Sequence, residues 1–323
     1  MDRAPERKVS SIMKAPQFFD PSGAADGPTM QTSIEKVTGR TSQPVLDTLA
    51  IEEPLEIQLN YGPSNSRQTR SIAVTMRTPG HDFDLAAGFL MTEGVIRDAN
   101  DIKQITFAGN PYIDDTESPS TMDILKLGSG HHTVRLDLAA EVEVNLGSLQ
   151  RNFYTISSCG LCGKASLLAL RTVCPPRAVN NFRLDAQLLF HLPERLRASQ
   201  GVFDRTGGLH GAGLFDAIGN LIALREDVGR HNAVDKLIGS EFLADRTPLR
   251  DRLLLLSGRA SFELLQKAVM GGIPMVAAVG APSSLAVQTA IEFDIILVGF
   301  LRDGNFNIYH GKDRIDGYKS RSI

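Results

Sequence analysis

Five short apolar runs recur in the second half of the chain, at residues 212–215, 221–224, 253–256, 275–279 and 295–298. Runs of four or five apolar residues without alternation suit strands buried on both faces, and such strands need helices above and below. The segments between and before them supply those helices: helical spacing is expected over residues 163–171, 185–198, 232–238, 262–269 and 284–292. The pattern predicts an α/β protein whose main sheet lies within residues 155–323.

The chain before residue 155 is patterned differently. Residues 55–59 and 72–76 alternate strictly, as strands with one buried face do. Residues 81–93 read as a helix, with Asp82 as expected N-cap, Phe83, Ala86, Ala87 and Leu90 at helical spacing, and Gly94 placed to end it. Short strands are expected at 105–108, 124–127 and 134–138, with a polar loop over 110–120. Residues 45–154 thus form a smaller strand-rich region with one helix. Residues 1–44 are polar and mixed, show no period, and are expected to be a disordered arm.

Composition narrows the function classes. A chain of 323 residues with 42% apolar and 22% charged residues can bury a core and is not wholly disordered. Lys and Arg total 34 against 37 Asp and Glu, so no general nucleic-acid coat is expected. Three cysteines are too few for a disulfide framework, which favours a reducing compartment. No apolar run approaches the roughly 18 residues of a membrane span, and the N-terminus has no apolar signal core. The expected location is the cytoplasm, with no membrane partner.

The sharpest chemical signal is Cys159-Gly160-Leu161-Cys162-Gly163-Lys164. Two thiols three positions apart can act in turn on one sulfur atom, and a helix start beside Lys164 favours the thiolate. Spacing alone leaves sulfur chemistry, a redox dithiol and half of a zinc site open; Cys174 precedes two prolines, and no second close pair completes four zinc ligands.

Four polar loops follow. Gly207-Gly208-Leu209-His210-Gly211-Ala212-Gly213 lets a backbone approach a ligand. It is not a dinucleotide fingerprint, because Asp216 stands where the third glycine belongs. In the segment from Arg225 to Lys236, Arg230 and His231 open a helix that could hold phosphate; Asp227 as a helix cap and His231 with Asp235 as an i,i+4 pair remain open there. Ser257-Gly258-Arg259-Ala260-Ser261 and Gly280-Ala281-Pro282-Ser283-Ser284 follow strands, where α/β sheets bind ligands, and each also reads as a plain N-cap. Together the four suggest one large phosphorylated ligand.

In order along the chain, Met76 to Asp82, Ala87 to Gly94, Ser158 to Lys164, Gly207 to Gly213, Glu226 to Lys236, Ser257 to Glu263, Ala281 to Ser284 and Val298 to Tyr309 resemble the FdhD family. Its members are sulfur carriers, or sulfurtransferases, needed for formate dehydrogenase activity. The resemblance spans about residues 45–311 and omits the N-terminal arm and Cys174. It implies a cytidine-deaminase-like main domain, although the deaminase H-x-E is missing ahead of the cysteine pair.

The resemblance further implies that a cysteine desulfurase passes persulfide sulfur to Cys159, assisted by Cys162. The sulfur then reaches a guanine-nucleotide-containing molybdenum cofactor, Mo-bis-MGD (or its tungsten counterpart), destined for apo formate dehydrogenase. Its implied cofactor contacts are Phe300, Leu301, Arg302, Asp303, Gly304 and Asn305, with Phe300 stacking on a base and Arg302 reaching phosphate. His210, Arg230, His231, Ser257, Arg259 and Ser283 of the polar loops would hold the rest. A plain hairpin turn at Asp303-Gly304 stays open for the last stretch. A homodimer is also implied, and no resident metal. A thiol-disulfide oxidoreductase and a cofactor-escorting chaperone without sulfur transfer are the competing readings.

Overall fold

The computed structural model describes residues 27–108, 132–144, 163–174 and 179–318. It opens on an antiparallel hairpin, β1 (Thr29–Thr38) and β2 (Thr41–Ala50), registered from Thr29 opposite Ala50 to Thr38 opposite Thr41. The expected disordered arm is therefore corrected over residues 29–44, while residues 1–26 lie outside the described residues. The ladder is built from β-branched Thr, Ile and Val. Neither face is buried, so the apolar alternation that marks other strands is absent.

The small region is a four-stranded sheet of β3 (Glu53–Tyr61), β4 (Gln68–Arg77), β5 (Ile102–Phe107) and β6 (Thr133–Leu138), in the order β4-β3-β6-β5. Leu55, Ile57 and Leu59 point inward and are fully buried, as their alternation predicts. Helix α1 (Asp82–Thr92) follows β4. His81, in the left-handed region at φ 59°, occupies the N-cap expected of Asp82; the Asp82 carboxylate is engaged by Arg77 instead. Gly94, at φ 75°, turns the chain after the helix and its N–H bonds the Met91 carbonyl. The strand and loop expected at 124–127 and 110–120 lie outside the described residues.

Next come α2 (Gly163–Val173), the two-residue β7 (Leu184–Asp185), α3 (Ala186–Leu189), α4 (Leu192–Ser199) and α5 (Gly201–Thr206). One helix was expected over 185–198. The chain breaks it at Phe190-His191, and Pro193 restarts it in the first turn of α4, where a missing N–H costs nothing.

The main sheet is completed by β8 (His210–Phe215), β9 (Leu221–Asp227), α6 (Arg230–Leu243), β10 (Leu253–Leu256), α7 (Phe262–Met270), β11 (Met275–Ala278), α8 (Ser284–Glu292), β12 (Ile296–Arg302) and β13 (Asn305–His310). Its order is β13-β12-β11-β10-β8-β9. The three central strands β10, β11 and β12 run parallel, and β8 and β13 run antiparallel to their neighbours. A short β14 (Ile315–Asp316) pairs with β7. The expected α/β class holds, and the five apolar runs fall on β8 to β12. Strand β13 escapes a search for apolar runs because its apolar residues Phe306 and Ile308 are separated by Asn307 and followed by Tyr309 and His310.

Two apolar clusters sandwich the main sheet. One gathers Phe215, Leu253, Leu255, Met275 and Val298 with α3 and α4 residues. The other gathers Leu254, Val276 and Leu297 with α6, α7 and α8, and continues without interruption into α1 and the small sheet. The expected boundary at 154/155 lies outside the described residues, but the two sheets share this core. The seam is α1 against α6. A Cβ placed on Gly88 would fall 2.0 Å from the Asp235 carbonyl oxygen, and one on Gly239 1.8 Å from that of Asp84, so only glycine permits this backbone approach.

Candidate functional site: the loop edge of the main sheet

Parallel strands β10, β11 and β12 end on the same edge at which antiparallel β8 begins. That edge is where open α/β sheets place ligands. Backbone bonds lash its loops into a row. The Ser257 N–H bonds the Gly211 carbonyl at 3.0 Å, and the Gly211 N–H bonds Ser257 Oγ at 2.8 Å. The Gly280 N–H bonds the Gly258 carbonyl at 2.9 Å, and the Phe300 N–H bonds the Gly280 carbonyl at 3.0 Å.

His210 opens β8, with Gly258 beside its ring; a Cβ at 258 would sit 3.5 Å from Nδ1. Burial, and then the nearby Arg230 cation, hold its imidazole below the ordinary pKa. Arg230 and His231 begin α6, whose N-cap Gly229 offers no side-chain cap. Arg230 Nε and His231 Nε2 are both buried without a hydrogen-bond partner. Burial, then Lys267 and Arg230, push His231 down to about 4, so it is neutral at neutral pH. Its acidic neighbour is Glu263 at 4.0 Å, not Asp235 as the i,i+4 spacing allowed.

Arg259 and Ser283 are exposed along the same row. Ser283 Oγ accepts from the Ala286 N–H at 3.2 Å, the capping role its position suggested. Phe300 sits in a bulge at φ 54°, and Leu301 turns its side chain into the second cluster. Arg302 pairs with Asn305 across a two-residue turn of Asp303 and Gly304, both at positive φ, so the hairpin reading of this stretch is realised. The fold therefore brings His210, Arg230, His231, Ser257, Arg259, Ser283 and Phe300 onto one edge. Arg302 to Asn305 form a tip that prolongs it, and Leu301 packs inward.

Cys159 and Cys162 lie outside the described residues. Helix α2 begins immediately after them at Gly163, where the sequence placed a helix start. Its far end is fixed by buried Leu170 and by an ion pair of Arg171 with Glu292. Cys174 packs half-buried against the larger core cluster.

Sequence reasoning missed one wall of the site. Helices α4 and α5 fold back over the edge and enclose a cleft of about 480 Å³. Leu196, Arg197, Gln200 and Phe203 line one side, and Leu209, His210, Ser257 and Gly258 the other. The stretch from Arg197 to Gly201 reads in sequence as a solvated helix end; only the sharp turn at Gln200 makes it a lining.

Other motif residues are structural. Asp227 does not cap α6. It is fully buried, takes the Lys236 ammonium at 2.7 Å and the Thr78 N–H at 3.1 Å, and accepts from Gly229 and Asn232. Arg77 bridges Asp82 and Glu53. Burial raises the Asp235 carboxyl, and Asp235 with Glu93 hold buried Lys267 cationic against that same burial. Among the described residues no three His, Cys, Asp or Glu side chains gather as a metal site, and no helix is long and apolar enough to cross a membrane.

Fold and edge together define a mixed α/β protein with a loop-built cleft at the carboxyl ends of its parallel strands. The chain belongs to the FdhD/NarQ family, which it matches over residues 50–316. It is 51% identical over 271 residues to the sulfur carrier protein FdhD of Streptomyces coelicolor, covering 83% of this chain and 89% of that one. Identity is 47% to the sulfur carrier protein FdhD of Mycolicibacterium paratuberculosis and 37% to that of Sulfurisphaera tokodaii, each covering 88% of this chain and 98% of the relative. In fold it is similar to the crystal structure of a formate dehydrogenase accessory protein from Desulfotalea psychrophila. The TM-score is 0.64 at 22% identity, covering 89% of this chain and 99% of that one.

Proposed function

We propose that this protein is a cytoplasmic sulfurtransferase that carries persulfide sulfur to a molybdenum cofactor bearing guanine nucleotides, Mo-bis-MGD, for use by apo formate dehydrogenase. The carrying observation is the row of lashed loops holding buried, unpartnered Arg230 Nε and His231 Nε2 beside an uncapped helix start. Buried donors are rarely left unpaired, so a polar ligand that supplies acceptors fits them. Family membership and relatives named sulfur carriers support the sulfur chemistry. The six-stranded domain is on this reading cytidine-deaminase-like, without deamination.

The chemistry begins with the Cys159 thiolate attacking the terminal sulfur of a persulfide on a cysteine desulfurase. The donor's S–S bond breaks, its cysteine leaves as a thiolate, and Cys159 carries the new persulfide. Attack of the Cys162 thiolate on the inner Cys159 sulfur then releases the outer atom as sulfide and leaves a disulfide, so electrons balance. Arg230, the α6 N-terminus and the Ser257 and Gly280 loops would hold cofactor phosphates, with Arg259 and Arg302 reachable at the rim. His231, neutral at working pH, adds a donor or acceptor without a second charge. A second copy of the chain completes the assembly.

Intact-protein mass spectrometry after incubation with a cysteine desulfurase and cysteine tests this. A reductant-sensitive gain of one sulfur in the wild type, lost in Cys159→Ala, is expected. Loss of two hydrogens on oxidation without any added sulfur would replace the reading with a dithiol oxidoreductase. Full activation of apo formate dehydrogenase by Cys159→Ala would replace it with an escorting chaperone.

A further inference from the structure

We propose that Arg171 of α2 and Glu292 of α8 are a positioning pair: their ion pair fixes the direction in which α2 leaves the core, and with it the aim of the Cys159 and Cys162 thiols relative to the loop edge. The inference goes beyond the carrier reading above and rests on it, since it concerns how the two cysteines are aimed. Neither Arg171 nor Glu292 belongs to a motif of the sequence.

Helix α2 is held at its last turn. Leu170 is buried in the larger cluster, and Val173 and Cys174 pack against that cluster. Val173 also lies against Gly94, where a Cβ would come 3.4 Å from the valine Cβ. One turn back from Arg171, Leu168 is 63% exposed. The apolar contacts make a fulcrum, but apolar contact has no direction and leaves the tilt of the helix open. Eleven residues at about 1.5 Å each put the start of α2 about 16 Å from its end. A tilt of about 20° then moves that start by about 5–6 Å. Reacting atoms must meet within about 3–3.5 Å, and a misplacement of about 1 Å can cost about 100-fold in rate. A carrier whose thiols adjoin that start therefore needs the tilt set.

The ion pair sets it. Arg171 Nε and a terminal guanidinium nitrogen both meet Glu292 Oε1, so the planar fork fixes an angle as well as a separation. Its contribution to stability is small, because the two side chains are 56% and 30% exposed. Glu292 is also misplaced for its own helix. It is the last residue of α8, where an acid opposes the helix dipole, and the last turn of α8 has no basic residue to answer it. Arg171 stands in the last turn of α2, where a cation suits the dipole. What Glu292 does, it does for α2.

The partner helix gives that direction its meaning. Helix α8 starts at Ser284, just after its N-cap Ser283 on the loop edge, and ends at Glu292. Its nine residues span about 13 Å, so an α2 of about 16 Å tied to its far end is long enough to run back to the level of the loop edge. The ion pair thus joins the helix that follows the thiols to a helix that begins at the loop edge.

The test is a distance. In the full chain carrying Cys162→Ser and Cys174→Ala, nitroxide labels on Cys159 and on the exposed site Ser284→Cys report their separation by pulsed electron paramagnetic resonance. Expected is one narrow distribution, which shifts or broadens by about 5 Å or more in Arg171→Ala and in Glu292→Ala. It should narrow again in the charge swap of Arg171→Glu with Glu292→Arg. Arg183→Ala removes a similarly exposed pair with Asp316 and should leave the distribution as it was, with denaturant midpoints agreeing across the set. In chains with the native cysteines, mass spectrometry should find Cys159 loaded with sulfur in every variant. Activation of apo formate dehydrogenase should fall about tenfold in the two single variants and recover in the swap. An unchanged distribution in both single variants, a swap no better than either, or an equal shift in Arg183→Ala would overturn the pair. The two readings fail separately: a wild type that takes no sulfur sinks the carrier reading whatever the distances do, and loading retained with distances unmoved sinks the positioning role alone.

Discussion

The seam between α1 and α6 and the loop edge of the main sheet both combine glycines with buried polar or charged side chains. They differ in whether those groups find each other. At the seam Arg77, Asp82, Asp227, Lys236, Asp235 and Lys267 are buried and paired, and Gly88 and Gly239 are filled by backbone. At the edge Arg230 Nε, His231 Nε2 and Gln200 Nε2 are buried and unpaired, and Gly208 and Gly258 line the cleft with no neighbour nearer than 3.5 Å to a Cβ placed on them. Motif residues with every bond made inside the chain hold the fold; those with bonds left over await something else.

Substitutions should separate the two. The largest effect belongs to Lys236→Met, which strands the Asp227 carboxylate in the core. Unfolding free energy, measured by denaturant titration, should fall by about 3–5 kcal/mol. Gly239→Ala forces apart two backbones and should cost about 3 kcal/mol in the same assay. Arg230→Ala is expected to do the reverse, changing stability by only about 0.5 kcal/mol while lowering GDP affinity about tenfold. A loss of stability matching that of Lys236→Met would return Arg230 to the structural class.

A subtler contrast lies in pH. His231 is held at about 4 in the folded protein against 6.5 ordinarily, so below pH 6.5 the unfolded chain binds the extra proton. Stability should therefore fall as pH drops from about 6.5 toward about 4, and this part of the slope should vanish in His231→Gln. An unchanged slope would mean that His231 is solvated. A modest effect is expected at the hairpin tip. Gly304→Ala meets no neighbour but carries a Cβ at φ 68°, and should cost about 1 kcal/mol.

Much of the main sheet was legible because its strands are continuous apolar runs and its helices have clean starts, Ser283 before α8 being one. The loop edge followed, since topology alone sends the ends of β10, β11 and β12 one way. The β1–β2 hairpin was not legible, because exposed strands show no alternation. The roles of Asp227 and Asp82 were also hidden: each sits where a cap belongs, and buried cations that no capping pattern predicts, Lys236 on the next helix and Arg77 on β4, redirect them. Gln200 was hidden for the converse reason, being ordinary in sequence and buried only by the turn from α4 to α5.

The seam also dictates when the protein can become itself during synthesis. Thr78 and Asp227 are 149 positions apart, and Thr92 and Asp235 are 143 apart. A nascent chain can assemble the strands of the small sheet and wind α1 long before α6 leaves the ribosome. Through that interval α1 shows an apolar, glycine-notched face with nothing to meet it. Closing so long a loop is slow, and the small sheet gains its core only when the last third of the protein arrives. The two sheets are thus late partners in one cooperative event, and a cut between them should yield neither half as a stable fragment.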